Sequence, residues 1–480
     1  MLMFNNLIDG EWLSDGARTP NVNPSNTKEV VGEAIRGTRA QADAAIAAAK
    51  AAFPAWSRAT PQVRYDILKK ASDEILARKD ELGLLLSREE GKTLPEGVGE
   101  AARAGQIFAF FAGECLRMAG EKLASVRPGV DIEITREPLG VVGLITPWNF
   151  PIAIPAWKIA PALAYGNTVV IKPADLVPGS TWALVDILQR AGLPKGVLNL
   201  VIGRGTEVGA ALLESPDVAA ISFTGSVATG QKVAAACVAS RPMKKFQLEM
   251  GGKNPLVVLD DADLKLAVEC ATNSAFFSTG QRCTAASRLI VTAGIHDKFV
   301  AALTERLKGL KIDDAIKAGT DIGPVVDQNQ LEQDLKYIGI GKDEGATLAF
   351  GGDLLTRDAP GFFLQPALFT GVTNSMRIAR EEIFGPVAAV IRVGDYAEAL
   401  AVANDTEFGL SAGICTTSLK YASDFKRNSE AGMVMVKLPI AGVDYHVQFV
   451  GRKGSSFGAR EQGRYAAEFY TTVKTAYTLP

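Results

Sequence analysis

A cysteine in a small polar stretch is the first residue of this chain that could do covalent chemistry. Cys283 follows residues 278–280, whose small side chains predict a flexible segment, and stands between Arg282 and Thr284. A thiol attacks as its thiolate, a minor form at neutral pH because the free pKa is about 8.5. A neighbouring guanidinium or a helix N-terminus enlarges that fraction, and the sequence predicts both here. A lone cysteine is also a common buried apolar residue, so on this stretch alone both interpretations stand.

A carboxylate at the end of an apolar strand is a candidate general base. Glu249 closes a strand predicted over 245–249 and is followed by Gly251 and Gly252. Burial at this point would raise the pKa of the carboxyl toward neutrality, which suits a base. The alternative is an ion pair with Lys253 across the glycine turn.

An amide side chain lies in the aromatic, proline-bounded turn of residues 147–151. Asn149 could serve as a turn former, or it could donate a hydrogen bond to a developing oxyanion.

Two strand ends carry weaker signals of nucleotide binding. Residues 221–230 read as a strand, a turn at Gly225 and a helix capped by Ser226, whose free N–H groups would favour a phosphate. The stretch lacks G-x-G-x-x-G, and any strand-to-helix turn could look similar. Lys172 and Asp175 follow an earlier strand and suit ribose hydroxyls, although a solvated strand end explains Lys172 equally well.

The composition limits the class of protein. The chain has 480 residues, 47% of them hydrophobic, which predicts a large core and two or three domains. Its 51 basic and 53 acidic residues give a net charge of −2 and no reason to expect a nucleic acid or an anionic membrane as partner. The N-terminus shows no signal peptide, and prolines interrupt the apolar region 139–171, which argues against a membrane span.

Cysteine and histidine usage narrows the chemistry further. Five widely spaced cysteines without C-x-x-C argue against disulfides and thiolate zinc sites and predict a reducing compartment, the cytoplasm. Only two histidines are present, which argues against a multi-histidine metal centre and against a Ser-His-Asp triad. We therefore expect no metal, and a carboxylate or a lysine must move the protons.

Hydrophobic periodicity predicts an α/β protein that positions these residues. Short strands are expected over 1–37, helices from 38 to about 118, and a hairpin with a buried strand over 122–145. Strands and helices then alternate over 168–249 and again over 256–436, as in parallel sheets covered on both faces. Residues 470–477 alternate once more, which predicts a strand added to a sheet formed elsewhere.

Six stretches in order, 147–151, 172–175, 223–226, 249–253, 280–283 and 382–386, resemble the aldehyde dehydrogenase superfamily over essentially the whole chain. The resemblance implies that Cys283 is the nucleophile, Glu249 the general base and Asn149 an oxyanion donor beside the Cys283 N–H. It further implies an NAD or NADP cofactor, which would be held by Pro147, Trp148, Lys172, Asp175, Gly205, Gly209, Gly225, Ser226, Met250, Glu382 and Phe384.

The same resemblance implies three parts and a homo-oligomer, a dimer or tetramer. A Rossmann-like cofactor domain would comprise 1–121 and 141–249, and an α/β catalytic domain would comprise 250–465. A small β oligomerisation element would comprise 122–140 and 466–480.

The C-terminal part resembles α-ketoglutaric semialdehyde (2,5-dioxopentanoate) dehydrogenases, notably in 441–446, 451–456 and 460–465. Close relatives usually have Pro-Phe-Gly-Gly where this chain has residues 448–451, so Val450 would stiffen a loop near the acyl pocket. The short Asp175 leaves NAD and NADP open. The substrate is expected to meet Phe150, Trp157, Phe277, Arg282 and Phe449.

Arg282 is expected to pair with the distal carboxylate of the substrate, because a guanidinium among aromatic rings is costly without an anion. The alternative is that Arg282 points away and pairs with a nearby acid. A dehydrogenase for other aliphatic or aromatic aldehydes, such as succinic semialdehyde or benzaldehyde, a CoA-acylating enzyme and a non-catalytic scaffold remain as alternative functions. Glu249 counts against CoA acylation.

Overall fold

The computed structural model describes residues 2–480. Its first part contains the short strands and long helices expected from the sequence. They are β1 (Leu2–Phe4), β2 (Asn6–Ile8), β3 (Glu11–Leu13), β4 (Arg18–Asn23), β5 (Asn26–Ile35), α1 (Arg39–Ser57), α2 (Pro61–Ala77), α3 (Lys79–Glu90) and α4 (Leu94–Cys115). Thr38 begins α1 through a capping box with Gln41, and Thr60 caps α2 with Pro61 at the first helical position.

An alternating series of strands and helices follows the hairpin β6 (Glu121–Ala124) and β7 (Asp131–Pro138). It comprises β8 (Val141–Ile145), α5 (Ala153–Ala164), β9 (Thr168–Lys172), α6 (Pro178–Arg190), β10 (Leu198–Leu200), α7 (Ala210–Glu214), β11 (Val218–Thr224), α8 (Val227–Ala239) and β12 (Lys245–Glu249). A single π-helical turn, Gly205–Gly209, precedes α7.

A second series completes the chain. It comprises β13 (Asn254–Val258), α9 (Leu264–Phe276), β14 (Ala286–Thr292), α10 (His296–Lys308), α11 (Gln328–Asp343), β15 (Thr347–Phe350), β16 (Ala367–Thr370), α12 (Arg377–Arg380), β17 (Val387–Val393), α13 (Tyr396–Asn404), β18 (Phe408–Gly409), β19 (Ser411–Cys415), α14 (Leu419–Asn428), β20 (Met433–Val436), β21 (Arg452–Lys453), β22 (Ser456–Phe457), α15 (Ala467–Tyr470) and β23 (Thr471–Thr478). Short 3₁₀ turns cover Phe277–Gly280 and Gly463–Ala466.

The first large sheet has the strand order β22-β12-β11-β8-β9-β10-β2-β3. Its five central strands, β12 to β10, are parallel. The chain runs from β8 outward through β9 and β10, then returns to the other side of β8 for β11 and β12. The strand order therefore reverses between β8 and β11, the position where open α/β sheets bind ligands at their carboxyl ends.

The second large sheet has the order β15-β16-β17-β14-β13-β19-β20 and is parallel except at β15. Leu256 and Val258 of β13 pack in one apolar core, whereas Val257 packs in another on the opposite face. The strand is therefore covered on both faces, which explains its continuous apolar sequence. The prediction of parallel sheets covered on both faces is confirmed. The sequence did not predict β15 and β16, which have four residues each.

The predicted C-terminal strand also forms. β23 pairs antiparallel with β7 along eight residues, giving the three-stranded sheet β23-β7-β6. The division into three domains stays a prediction, and β22, from the C-terminal part, pairs with β12 of the first large sheet. Within residues 2–480, no helix combines the length and the apolar character that a membrane span requires.

Candidate functional site

Cys283 lies in the turn between the 3₁₀ segment 277–280 and β14, and no helix begins there. The prediction of a helix N-terminus at this thiol is therefore wrong. The backbone of the turn is fixed from β13, because Asn254 Nδ2 donates to the Cys283 carbonyl over 2.7 Å. A Cβ on Gly252 would strike the same carbonyl, which explains why a glycine stands there.

Residues 278–280 are rigidly held, and their expected flexibility is wrong. Ser278, Thr279 and Gly280 are buried and have positive φ angles of 51°, 57° and 66°. Glu96 accepts hydrogen bonds from the Ser278 backbone N–H (2.9 Å) and from its hydroxyl (2.8 Å). Left-handed backbone costs energy for residues with a side chain, so these contacts pin a strained approach to Cys283.

Arg282 points away from the substrate side of Cys283, so its predicted contact with substrate is wrong. Its Nη2 donates to Glu96 Oε1 over 3.0 Å, and its Nη1 donates to the Asn273 carbonyl over 3.4 Å. The alternative, pairing with an acid that supports the loop, describes the observed geometry. The Arg282–Glu96 pair has no net charge, so it attracts a substrate carboxylate only weakly.

The surroundings of Cys283 disfavour the thiolate form of its side chain. Burial raises its pKa to about 12, and the nearby carboxylates of Glu382 and Glu249 act in the same direction. Arg282 was expected to stabilise the Cys283 thiolate. This prediction is also wrong, because the guanidinium of Arg282 forms an ion pair with Glu96.

Cys283 lies between two cavities. The larger, about 210 Å³, is lined by Pro147, Trp148, Asn149, Ile154, Thr224, Gly225, Ser226, Met250, Gly251, Cys283, Gln330, Gln333, Glu382 and Phe384. The smaller, about 50 Å³, is lined by Arg103, Phe150, Ala153, Trp157, Cys283, Thr284, Ala441, Val443 and Phe449. We call them the dinucleotide-side and acyl-side cavities. Cys283 is the residue that both share.

The dinucleotide-side cavity opens where the strand order of the first sheet reverses. Pro147 and Trp148 follow β8, and Gly225 and Ser226 follow β11. Ser226 caps α8 by accepting a hydrogen bond from the Thr229 N–H. The N-terminus of a 13-residue helix thus faces a cavity of the size and position that suit an anion.

The glycine pair after Glu249 makes room for a second carboxylate. The Gly252 N–H donates to Glu382 Oε1 over 2.8 Å, and a Cβ on Gly251 would collide with the Glu382 carboxylate. Next to it, Phe384 has a φ of 66° and packs edge-on against Trp148, with ring centroids 5.3 Å apart. These contacts place an acceptor and an aromatic wall in the dinucleotide-side cavity.

Four predicted cofactor residues lie outside the walls of this cavity, at the carboxyl edge of the same sheet. Lys172 ends β9 and donates to Asp175 Oδ1 over 3.0 Å. Gly205 and Gly209 bound the π-helical turn after β10, with open space where their Cβ atoms would be. Their predicted role stays a prediction.

Asn149 is buried and lines the dinucleotide-side cavity beside Cys283. Its Nδ2 donates one hydrogen bond to the Gln281 carbonyl over 3.0 Å, which leaves the second N–H hydrogen for another acceptor. The residues that hold Asn149 in place were not predicted from the sequence. Lys92 Nζ donates to the Asn149 carbonyl and to Glu100 Oε2. Glu100 in turn accepts the N–H groups of Ile152 and Ala153 at 3.1 Å.

Glu249 is buried at the end of β12, as predicted, with its pKa raised to about 8 by burial. Gln247 Nε2 donates to its Oε1 over 2.9 Å, and the Ser456 hydroxyl donates to its Oε2. The alternative ion pair with Lys253 is absent: the buried Lys253 Nζ has no hydrogen-bond partner within residues 2–480. Glu249 lines neither cavity in this conformation.

Three of the five predicted substrate residues, Phe150, Trp157 and Phe449, line the acyl-side cavity, and the Trp157 and Phe449 rings stack with centroids 5.5 Å apart. Phe277 instead packs against the core of the second sheet, so its predicted place is wrong. Arg103 was missed. A signal was available, because it is the one charge in the apolar run 101–113 of α4.

Comparison with known proteins identifies the family. The sequence model of the aldehyde dehydrogenase family matches residues 12–476. An alpha-ketoglutaric semialdehyde dehydrogenase of Bacillus subtilis is 44% identical, with 99% of this chain and 98% of that protein covered. A 2,5-dioxopentanoate dehydrogenase of Saccharolobus solfataricus is 40% identical, with 99% of each covered.

A solved structure shares the whole architecture. The betaine aldehyde dehydrogenase of Staphylococcus aureus, crystallised in complex with NAD+, superposes with a TM-score of 0.96 at 35% identity, covering 99% of this chain and 94% of that one. Together with the thiol between two cavities, these similarities show that the chain belongs to the aldehyde dehydrogenase family.

Proposed function

We propose that the chain oxidises α-ketoglutaric semialdehyde to 2-oxoglutarate, with NAD+ or NADP+ as hydride acceptor. The observation that carries the proposal is the position of Cys283, which lines both the dinucleotide-side cavity and the smaller, aromatic acyl-side cavity. The names of relatives at 40–44% identity support this substrate.

Cys283 is the proposed nucleophile. Its thiol loses its proton to solvent in the cavity, and the thiolate adds to the aldehyde carbon. The resulting oxyanion accepts hydrogen bonds from Asn149 Nδ2 and from the Cys283 backbone N–H. Loss of hydride from this thiohemiacetal leaves a thioester on Cys283. A bound NAD+ or NADP+ supplies the acceptor for that hydride.

The dinucleotide-side cavity fits such a cofactor. The N-terminus of α8 at Ser226 suits a pyrophosphate, and the carboxylate of Glu382 suits ribose hydroxyls. Trp148 and Phe384 give the cavity an aromatic wall. Lys172 and Asp175 lie at the next strand end, where a second ribose would extend.

Glu249 is the proposed base for hydrolysis of the thioester. A carboxyl with a pKa near 8 is well matched to accepting a proton from water close to neutral pH. Because Gln247 and Ser456 hold it away from both cavities, it must turn out of these hydrogen bonds to reach a water at Cys283.

A quaternary ammonium aldehyde is the second candidate substrate. The stacked Trp157 and Phe449 rings and Phe150 form aromatic walls of the kind that bind such cations, and betaine aldehyde dehydrogenases are among the relatives. Neutral aliphatic and aromatic aldehydes would meet the same walls.

A substrate panel tests the proposal. With NAD+ and NADP+ in turn, we expect kcat/KM for α-ketoglutaric semialdehyde to exceed the values for pentanal, benzaldehyde and betaine aldehyde, followed as reduced cofactor at 340 nm. A higher value for betaine aldehyde would replace the proposed substrate by the second candidate. Reduction of either cofactor only when CoA is added would contradict hydrolysis.

The raised pKa of Glu249 predicts a pH dependence. A base works in its deprotonated form, so kcat should rise by about tenfold per pH unit below about 8 and level off above it, provided that hydrolysis limits turnover. Glu249→Gln should remove this rise from the residual steady-state rate. A kcat that is flat between pH 6 and 8 would argue against Glu249 as the base.

The assembly and the compartment are also proposed. The β23-β7-β6 sheet exposes Val473, Tyr477 and Leu123, which fits the expected homo-oligomer. All five cysteines are free, which suits the cytoplasm.

A further inference from the structure

Arg103 brings a positive charge to the acyl-side cavity. It projects from α4, and the other residues that line this cavity are aromatic, aliphatic or small: Phe150, Ala153, Trp157, Cys283, Thr284, Ala441, Val443 and Phe449. Such surroundings solvate a guanidinium poorly, so its charge is costly unless an anion meets it.

No acidic side chain within residues 2–480 forms an ion pair with Arg103. The Nε of Arg103 is buried without a hydrogen-bond partner, and within residues 2–480 its guanidinium forms no ion pair. Glu100 and Asp444 act on it only through space, and burial lowers the pKa of Arg103 from its ordinary value. Glu100 is already occupied by Lys92 and by two backbone N–H groups.

The other arginine near the thiol shows the contrast. Arg282 is neutralised by Glu96 at 3.0 Å and lies outside the acyl-side cavity. Arg103 therefore has the unmatched charge on the side of Cys283 where the aldehyde must sit.

We infer that Arg103 is the specificity residue that binds the distal carboxylate of the substrate, which selects aldehydes ending in a carboxylate and rejects those ending in an ammonium group. An aldehyde carbon at the Cys283 sulfur leaves the rest of a short linear substrate in the same cavity as Arg103. The planar guanidinium fork matches a carboxylate with two parallel hydrogen bonds. The inference rests on the proposed function and names the group that would enforce it.

Three proteins test it: Arg103→Leu, Arg103→Lys and Arg117→Leu. Arg117 follows α4 with an exposed side chain paired to Glu114, so its variant controls for loss of an arginine outside the cavity. We expect Arg103→Leu to lower kcat/KM for α-ketoglutaric semialdehyde by about 30- to 5,000-fold, the range for a buried charge pair broken on one side. Pentanal should change less than about threefold, and betaine aldehyde should be unchanged or improved. Arg103→Lys should retain part of the preference because it keeps the charge without the fork.

Binding is measured separately from turnover. Glutarate, a five-carbon dicarboxylate, should slow alkylation of Cys283 by iodoacetamide in the wild type and in Arg117→Leu, and should give no protection in Arg103→Leu.

The outcomes separate the two proposals. A wild type without preference for the carboxylate-bearing aldehyde over pentanal would overturn the proposed substrate. A wild-type preference that survives in Arg103→Leu, or equal losses on all aldehydes in both Arg103 variants, would overturn the role of Arg103 and leave the proposed substrate standing.

Discussion

Replacing Cys283 by alanine is expected to lower kcat by at least about a thousandfold, the scale of loss when a covalent nucleophile is removed. Both cavities keep the rest of their walls in this variant, so dinucleotide binding should persist. The alanine side chain is smaller than the thiol and leaves the turn anchored, because Asn254 holds the backbone carbonyl and not the sulfur.

The measurement pairs steady-state turnover with dinucleotide titration followed by protein fluorescence. Cys115→Ala is the matched control, since Cys115 is buried in α4 and its thiol hydrogen-bonds to the Phe111 carbonyl, away from both cavities. Retention of more than about a thousandth of wild-type kcat in Cys283→Ala would contradict a covalent mechanism.

Replacing Glu249 by glutamine should divide the reaction into its two halves. Formation of the thioester requires Cys283 and Asn149, whereas its hydrolysis requires a base. We therefore expect a burst of reduced cofactor of about one equivalent per active site, followed by turnover slowed by about a hundredfold or more. Glutamine keeps the shape of the side chain and can still meet Ser456, so the fold should tolerate the change.

Rapid mixing and intact-protein mass spectrometry check this result. The acyl group should stay on Cys283 at least about a hundredfold longer in Glu249→Gln than in Glu305→Gln, an isosteric control on the surface of α10. An unchanged steady-state rate would show that Glu249 is a structural carboxylate.

Local sequence predicted the features that local physics determines. The sequence predicts helices from residue 38, and α1 begins there because the Thr38 side chain accepts a hydrogen bond from the Gln41 N–H within the same turn. Continuous apolar runs predicted strands buried on both faces, and the alternation of 470–477 predicted the added strand, observed as β23. Five of the predicted cofactor residues line one cavity because they follow β8, β11 and β12, parallel strands whose carboxyl ends meet at one edge of the sheet.

Features set by distant partners could not be predicted. The direction of Arg282 depends on Glu96, which lies 186 positions earlier in the chain. The same carboxylate immobilises Ser278, which composition alone presented as flexible. The role of Arg103 was not predicted because its neighbours in sequence are alanines and a glycine, which indicate no binding site. Its neighbours in space come from four separate segments of the chain. The partial burial of Cys283, and with it the pKa of the thiol, likewise depends on the whole fold.

The two cavities have separate walls apart from Cys283, and this separation bears on how such a protein can diverge. A substitution at Ala153, Ala441 or Val443 reshapes the space for the aldehyde without touching the walls that face the dinucleotide. A single substitution in the acyl-side cavity can therefore change the preference for aldehydes while binding of the dinucleotide stays as it was. Libraries confined to these three positions should accordingly yield altered aldehyde preference with unchanged cofactor affinity.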